Sequence, residues 1–221
     1  MGRRIKRIST GSMLALACAA VLAASTSNAS AGGHRLAYAY APPDAVVYAT
    51  VGETTRAPIG WLEFCVEYRQ ECHIKSSAAR DVVLTSKAWV DMVKVNTWVN
   101  GNIKPMTDVE HWAVVERWSY PDDGYGDCED YVLLKRRMLM KAGWPRSALL
   151  VTVVRDKKGD GHAVLTVKTN RGEFVLDNQE AEILPWDKTG YRFVKRQSQL
   201  DPNAWVALGA PQVAPVTVSG R

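Results

Sequence analysis

The chain has 221 residues, a formal net charge of +5 and 47% hydrophobic residues, enough for one domain with an ordinary core. Removing residues 1–29 removes four basic residues and no acids, which lowers the net charge to +1. This balance, without a basic stripe interleaved with aromatic residues, argues against nucleic acid as a partner.

Residues 1–29 predict a cleaved secretory signal. A basic start, Arg3 to Arg7, precedes an apolar run from Met13 to Ala24 that is short for a bilayer span, and small-x-small cleavage sites follow. A retained N-terminal anchor is the alternative. With cleavage, we expect a periplasmic or secreted protein that begins with an irregular lead-in over 30–57.

Three cysteines remain after the signal: Cys65, Cys72 and Cys128. An odd number of thiols in an oxidising compartment requires an explanation. On one continuous helix the Cα atoms of Cys65 and Cys72 would lie about 10.5 Å apart, too far for a disulfide. If a helix ends and turns between them they can pair, which leaves Cys128 free. We favour that pairing, and two buried reduced cysteines are the alternative.

The first half of the domain predicts mainly helices. We expect a turn and a short helix within Pro58 to Cys72. The longest helical stretch runs from Ala79 to Asn100, with Gly101 as its stop signal. Residues 103–125 predict a short helix followed by a loop.

A clear helix runs from Cys128 to Ala142. Asp127 is a suitable N-cap, Asp130 stands at the capping-box position, and Gly143 and Pro145 end the helix.

The second half of the domain predicts an antiparallel meander. Turn formers separate three strand-like runs, Leu149–Val154, His162–Lys168 and Glu173–Leu176. Residues 180–208 predict one or two further strands, and 209–221 predict a disordered tail.

The turn between the second and third strands predicts which side chains meet. With a two-residue loop, Thr169 faces Gly172 and His162 lies opposite Gln179. Alternate side chains share a face, so His162 and Asp177 become diagonal neighbours within hydrogen-bonding reach. A slip of one residue would break this relationship.

Cys128, His162 and Asp177 occur in the chain order of a thiol nucleophile, its base and the group that orients the base. A helix N-terminus and a nearby imidazolium both favour the thiolate of Cys128. The backbone N–H of Cys128 is a candidate oxyanion donor. Cys128 alone would be read as a small buried hydrophobic residue.

The acids beside Cys128 oppose thiolate formation. Asp127, Glu129 and Asp130 raise a thiol pKa by charge repulsion, so helix-end N–H groups or a cation must neutralise them. Helix capping is the simpler role for Asp127 and Asp130.

Four short blocks resemble the bacterial transglutaminase-like cysteine peptidases and extend from about residue 58 to 205. The blocks are Pro58-Ile59-Gly60-Trp61-Leu62-Glu63-Phe64-Cys65, Gly126-Asp127-Cys128-Glu129-Asp130-Tyr131, Gly161-His162-Ala163-Val164-Leu165 and Val175-Leu176-Asp177-Asn178. The resemblance implies a papain-like, transglutaminase-like α+β domain over 58–208, with the nucleophile at the start of a central helix packed on an antiparallel sheet. It also implies a Cys128–His162–Asp177 triad.

The resemblance has further implications for partners. The best-understood group of this family consists of periplasmic proteases that trim surface adhesins and so release biofilm cells. They use calcium and are restrained by an inner-membrane receptor. Asp127 and Glu129 match the calcium-binding acids, and Asp130 is a third candidate. For this chain the resemblance therefore implies calcium, a protein substrate such as an adhesin, and a regulatory receptor. A single small domain makes a monomer the default expectation.

Two other functions fit the same residues. The acyl-enzyme could pass its acyl group to an amine, as a transglutaminase does, which would give an amine adduct instead of a new chain end. A non-catalytic, calcium-responsive periplasmic binding module would instead have an unreactive Cys128.

Overall fold

The computed structural model describes residues 46–73 and 78–209. The predicted signal over 1–29, the start of the lead-in and the tail from residue 210 lie outside these residues. Within them, every helix is too short or too polar to cross a membrane.

A seven-stranded sheet forms one layer of the domain. Its strand order is β1-β9-β8-β4-β5-β6-β7, and all neighbours are antiparallel. The strands are β1 Val51–Thr55, β4 Leu149–Arg155, β5 Gly161–Thr169, β6 Gly172–Leu176, β7 Leu184–Pro185, β8 Arg192–Gln197 and β9 Trp205–Leu208. Two short strands, β2 Lys104–Pro105 and β3 Tyr125–Gly126, form a separate parallel pair.

Helices form the second layer. They are α1 Ile59–Glu67, α2 Arg69–Cys72, α3 Ser86–Asn102, α4 Asp108–Trp112 and α5 Cys128–Lys141, with 3₁₀ turns at Arg146–Ala148 and Trp186–Lys188. Helix α5 packs on β4 and β5 and against α3, and most of its residues are buried. A central helix on an antiparallel sheet confirms the predicted α+β class.

The core lies between α5 and the sheet. Leu133 and Leu139 of α5 and Leu149 and Leu165 of the sheet are almost fully buried in one apolar cluster. Trp61 joins that cluster from α1, in edge contact with Trp118 and Trp205. This packing holds the N-terminus of α5 against β5.

The strand predictions are confirmed for β4, β5 and β6 within about one residue, and β8 and β9 are the strands expected within 180–208. The irregular lead-in is wrong over Val51–Thr55, which form an edge strand paired with β9. The pairing partner lies at the other end of the domain sequence, so local pattern did not reveal it.

The longest helix is shorter than predicted at its start. It begins at Ser86, because Thr85 caps it by accepting a hydrogen bond from the Ala88 N–H at 3.1 Å. Val82, expected on the helix, instead pairs with the β5–β6 turn at Thr169. Gly101 does not stop the helix, which ends at Asn102.

The predicted Cys65–Cys72 disulfide is confirmed, with the Cα atoms 5.6 Å apart. Helix α1 ends at Glu67 and α2 begins at Arg69, so the chain turns between the two cysteines. Among the described residues Cys128 is the free thiol.

Candidate active site

Cys128 is the first residue of α5 and is half-buried. Its thiol donates to Glu129 Oε2 at 3.1 Å, and its sulfur accepts a hydrogen bond from the Ala163 backbone N–H. Burial raises the pKa of the thiol well above its usual range, and the charge and hydrogen bond of Glu129 and the charge of Asp127 raise it further. In this form Cys128 is a protonated thiol that lies beside Ala163 of β5, and Ala163 directly follows His162.

The predicted capping box is wrong. Asp127 occupies the N-cap position, but its side chain makes no capping hydrogen bond. The Asp130 carboxyl group instead accepts a hydrogen bond from the Ser119 N–H at 2.8 Å. Gly126 gives it room, since a Cβ there would lie 2.7 Å from Asp130 Oδ2.

His162 and Asp177 meet across the β5–β6 hairpin. The register pairs Thr169 with Gly172 and Leu165 with Leu176, as predicted. His162 Nε2 lies 2.8 Å from Asp177 Oδ1, and both side chains are buried. The contact leaves Nδ1 as the ring nitrogen not bonded to Asp177.

Three further residues hold Asp177. The Tyr191 hydroxyl donates to Asp177 Oδ2 at 2.7 Å, and the Gln179 N–H donates to Oδ1 at 3.0 Å. From α3, Asn100 Nδ2 donates to the Asp177 carbonyl at 2.7 Å. Burial raises the pKa of Asp177, but the hydrogen bond and charge of His162 and the Tyr191 hydroxyl outweigh it and lower that pKa. Asp177 is therefore an oriented, ionised carboxylate.

Gln179 also contacts the histidine directly. Its Nε2 lies 3.4 Å from His162 Nδ1, and the Tyr191 ring packs edge-on against the imidazole with centroids 5.8 Å apart. The sequence predictions did not assign Gln179, Tyr191 or Asn100. Of these, only Gln179 could have been found from the sequence, because the predicted hairpin register places it opposite His162.

Acidic side chains cluster beside Cys128, and α4 contributes to them. Ligand atoms of Asp108, Asp127 and Asp130 lie within 4.8 Å of one another, and so do those of Asp108, Glu116 and Glu129. The predicted metal-binding acids are thus divided between two groups that share Asp108. Asp108 and Glu116 were not predicted, because no local spacing relates them to the nucleophile block.

Two carboxyl groups of the acidic cluster have pKa values above their ordinary range. Burial is the largest cause that raises the pKa of Asp127 to about 6 and of Asp130 to about 8, and neighbouring acids including Asp108 add to both shifts. Asp127 Oδ1 and Asp130 Oδ2 are buried without a hydrogen-bond partner among the described residues. Clustered, partner-free carboxylate oxygens are suited to a hard cation such as calcium.

Comparisons with known proteins identify the family. Residues 51–213 match the family model described as bacterial transglutaminase-like cysteine proteinase. No curated protein matches the chain. Calcium-bound Legionella pneumophila LapG has 24% identity and a TM-score of 0.47, over 57% of this chain and 73% of that chain. EGTA-treated LapG has 25% identity and a TM-score of 0.46, over 55% and 70%. Because the family model covers most of its length, this chain belongs to the bacterial transglutaminase-like cysteine proteinases and is a cysteine peptidase.

Proposed function

We propose that this cysteine peptidase uses Cys128 as nucleophile, His162 as general base and acid, and Asp177 as the group that orients His162. The 2.8 Å contact between His162 Nε2 and Asp177 Oδ1 carries the proposal. It fixes the ring so that Nδ1 is the nitrogen available to the thiol. The Ala163 N–H, one residue after His162, already reaches the sulfur.

Acylation follows from this arrangement. His162 Nδ1 takes the thiol proton while the Cys128 sulfur forms a bond to the substrate carbonyl carbon. The Cys128 N–H stabilises the oxyanion. His162 then gives its proton to the amine nitrogen as the C–N bond breaks, which leaves a thioester on Cys128.

Deacylation regenerates the thiol. His162 takes a proton from water, and the water oxygen bonds to the thioester carbon. The C–S bond breaks, the new carboxyl end leaves, and the Cys128 sulfur regains the proton from His162.

Calcium fits the acidic cluster. We propose that Asp108, Asp127 and Asp130 hold it, with Glu129 and Glu116 in support, because two buried carboxylate oxygens have no partner among the described residues. When bound, calcium supplies positive charge that offsets the acids beside the thiol. Glu129 would then no longer favour the protonated form of Cys128.

We propose that the enzyme works in the periplasm or outside the cell. The N-terminal signal pattern over 1–29 and the Cys65–Cys72 disulfide support an oxidising compartment. A surface adhesin as substrate, an inner-membrane receptor as regulator and a monomeric state complete the proposal. The adhesin and the receptor rest on the family resemblance alone.

Cleavage of a labelled unfolded protein tests the assignment. We expect turnover by the purified protein with calcium, and its loss in Cys128→Ala and His162→Ala. His73→Ala, which alters an exposed histidine, is the matched control. Wild-type turnover by Cys128→Ala would refute the nucleophile.

The products distinguish hydrolysis from acyl transfer. With a primary amine present, hydrolysis gives fragments with a free carboxyl end. Transfer would add the mass of the amine, and a predominance of that adduct would overturn the proposal of a peptidase reaction for this site.

A further inference from the structure

A groove of about 360 Å³ lies between α1 and the segment that follows α4. Its lining includes two buried aromatic side chains, Phe64 of α1 and Trp118. The two sides pack directly on each other, since a Cβ added at Gly60 of α1 would overlap the Trp118 ring. This α1 groove is therefore built by the folded domain before any partner binds.

The α1 groove carries an excess of negative charge. Its acids are Glu63, Glu67 and Glu116, and Arg117 is the one cation among the described residues that line it. Arg117 is already engaged, because it pairs with Glu67 at 3.4 Å and lies over the Trp112 ring at 4.4 Å. Glu63 forms no ion pair with a described residue. The groove thus lacks the positive charge that would balance it.

Exposed apolar side chains border these acids on α1. Ile59, Leu62 and Val66 are 60%, 51% and 71% exposed. Residues three and four positions apart are neighbours on a helix surface, so this apolar stripe adjoins Glu63. Val114, from the segment after α4, is also exposed and lines the groove. The surface therefore suits a partner segment that combines apolar side chains with a positive charge.

Glu116 connects the α1 groove to the proposed nucleophile. It lines the groove, and its carboxylate lies within 4.8 Å of that of Glu129. Glu129 Oε2 in turn accepts a hydrogen bond from the Cys128 thiol at 3.1 Å. Trp118 Nε1 donates to Glu116 Oε1 at 2.6 Å, which anchors this carboxylate. An extended peptide advances about 3.3 Å per residue, so one held at Cys128 reaches the groove within about two to four residues.

We propose that the α1 groove is a substrate subsite for a lysine or arginine side chain flanked by apolar residues in an unfolded segment of the protein substrate. The inference rests on the proposed function, because it places the scissile carbonyl at Cys128. Glu63 binds the cationic group, while the aliphatic part of that side chain packs on Phe64 and Trp118. Glu63 determines specificity and takes no part in making or breaking bonds.

Affinity selection from a random peptide library tests the subsite in the full-length Cys128→Ala protein at constant calcium. The retained peptides should be enriched in Lys and Arg next to Val, Leu and Ile. Adding Glu63→Gln should lower this enrichment by about two- to fivefold, the range of an exposed ion pair. Adding Glu63→Lys should shift the preference to Asp and Glu. The matched control Glu53→Gln, on the exposed edge strand β1, should keep the original enrichment.

Each outcome of the selection decides the proposal. No enrichment of Lys and Arg, or equal enrichment with Glu63→Gln and Glu53→Gln, would overturn the subsite. Both glutamates are exposed, so the variants should fold. The selection needs no turnover, so a preference that depends on Glu63 in a chain without peptidase activity would refute only the proposed function. Cleavage that depends on Cys128 without that preference would refute only the subsite.

Discussion

His162 Nε2 and Asp177 Oδ1 lie 2.8 Å apart although 15 positions separate the residues. The β5–β6 hairpin sets this contact, because its register brings the start of β5, where His162 lies, beside the residue that follows β6, Asp177. Tyr191 and Gln179 donate two further hydrogen bonds to the carboxylate. One hairpin therefore builds the proposed base, and the start of α5 adds the proposed nucleophile.

Tyr191→Phe should weaken the orientation of Asp177. The change removes one hydrogen bond to Oδ2, whose net value is about 1 kcal/mol, so kcat/KM should fall by about fivefold. The pH profile should shift as well, since Asp177 would interact more strongly with protonated His162. Tyr48→Phe, which removes a single bond to the Thr169 carbonyl, should leave both quantities unchanged. Equal effects of the two variants would contradict this role.

Gly126→Ala should disturb the acidic cluster. The added Cβ would lie 2.7 Å from Asp130 Cβ and Oδ2, and such overpacking typically costs about 1–3 kcal/mol. Calcium affinity should fall with stability, as measured by calorimetric titration and thermal unfolding. In Gly101→Ala the new Cβ meets nothing within 4 Å, and the protein should gain about 0.5–1 kcal/mol because alanine favours the helix. Unchanged calcium binding in Gly126→Ala would exclude Asp130 as a ligand.

Lys135 should make the stability of the protein rise between about pH 7 and pH 10. Its folded-state pKa of about 7 lies below the ordinary value of 10.5. Between these values the unfolded chain binds more protons than the folded chain, so this residue makes stability rise with pH. Below pH 7 the full burial penalty applies. Lys135→Met should therefore stabilise the protein most below pH 7, and the difference in free energy of unfolding should shrink toward pH 10. A constant difference would contradict the buried, destabilised ammonium.

Loss of the disulfide should lower stability but spare the site. Cys65 and Cys72 close a loop with a sequence separation of 7, and a loop of this length contributes about 2 kcal/mol. The double variant Cys65→Ala/Cys72→Ala should unfold at a lower urea concentration and keep its activity. Loss of activity in a folded double variant would show that the α1–α2 turn shapes the site.

The local sequence pattern was sufficient to predict the structure where neighbouring residues determine it. The turn at Asn170 and Arg171 fixes the β5–β6 register, so the meeting of His162 and Asp177 could be predicted. Helix α5 could be predicted as well, because its apolar side chains recur at helical spacing and Gly143 marks its end. Its end at Lys141 differs from the prediction by one residue.

Features that depend on distant segments could not be predicted. Strand β1 forms because β9 pairs with it, and Asp108 joins the acidic cluster because α4 packs near β3 and the start of α5. Asp130 looked like a capping residue, yet Ser119 binds its carboxylate instead. In each case the partner lies beyond the reach of helical or strand periodicity.

The alkylation rate of Cys128, followed by peptide mapping in calcium-loaded protein, tests the central claim most directly. The other cysteines of the described domain are joined in a disulfide, so the reaction reports on one thiol there. We expect rapid modification of Cys128 at neutral pH, and a rate at least about tenfold lower in His162→Ala, because the thiolate is the reactive form. His73→Ala should react like the wild type. Equal rates in the wild type and His162→Ala would contradict the proposed pairing of Cys128 with His162.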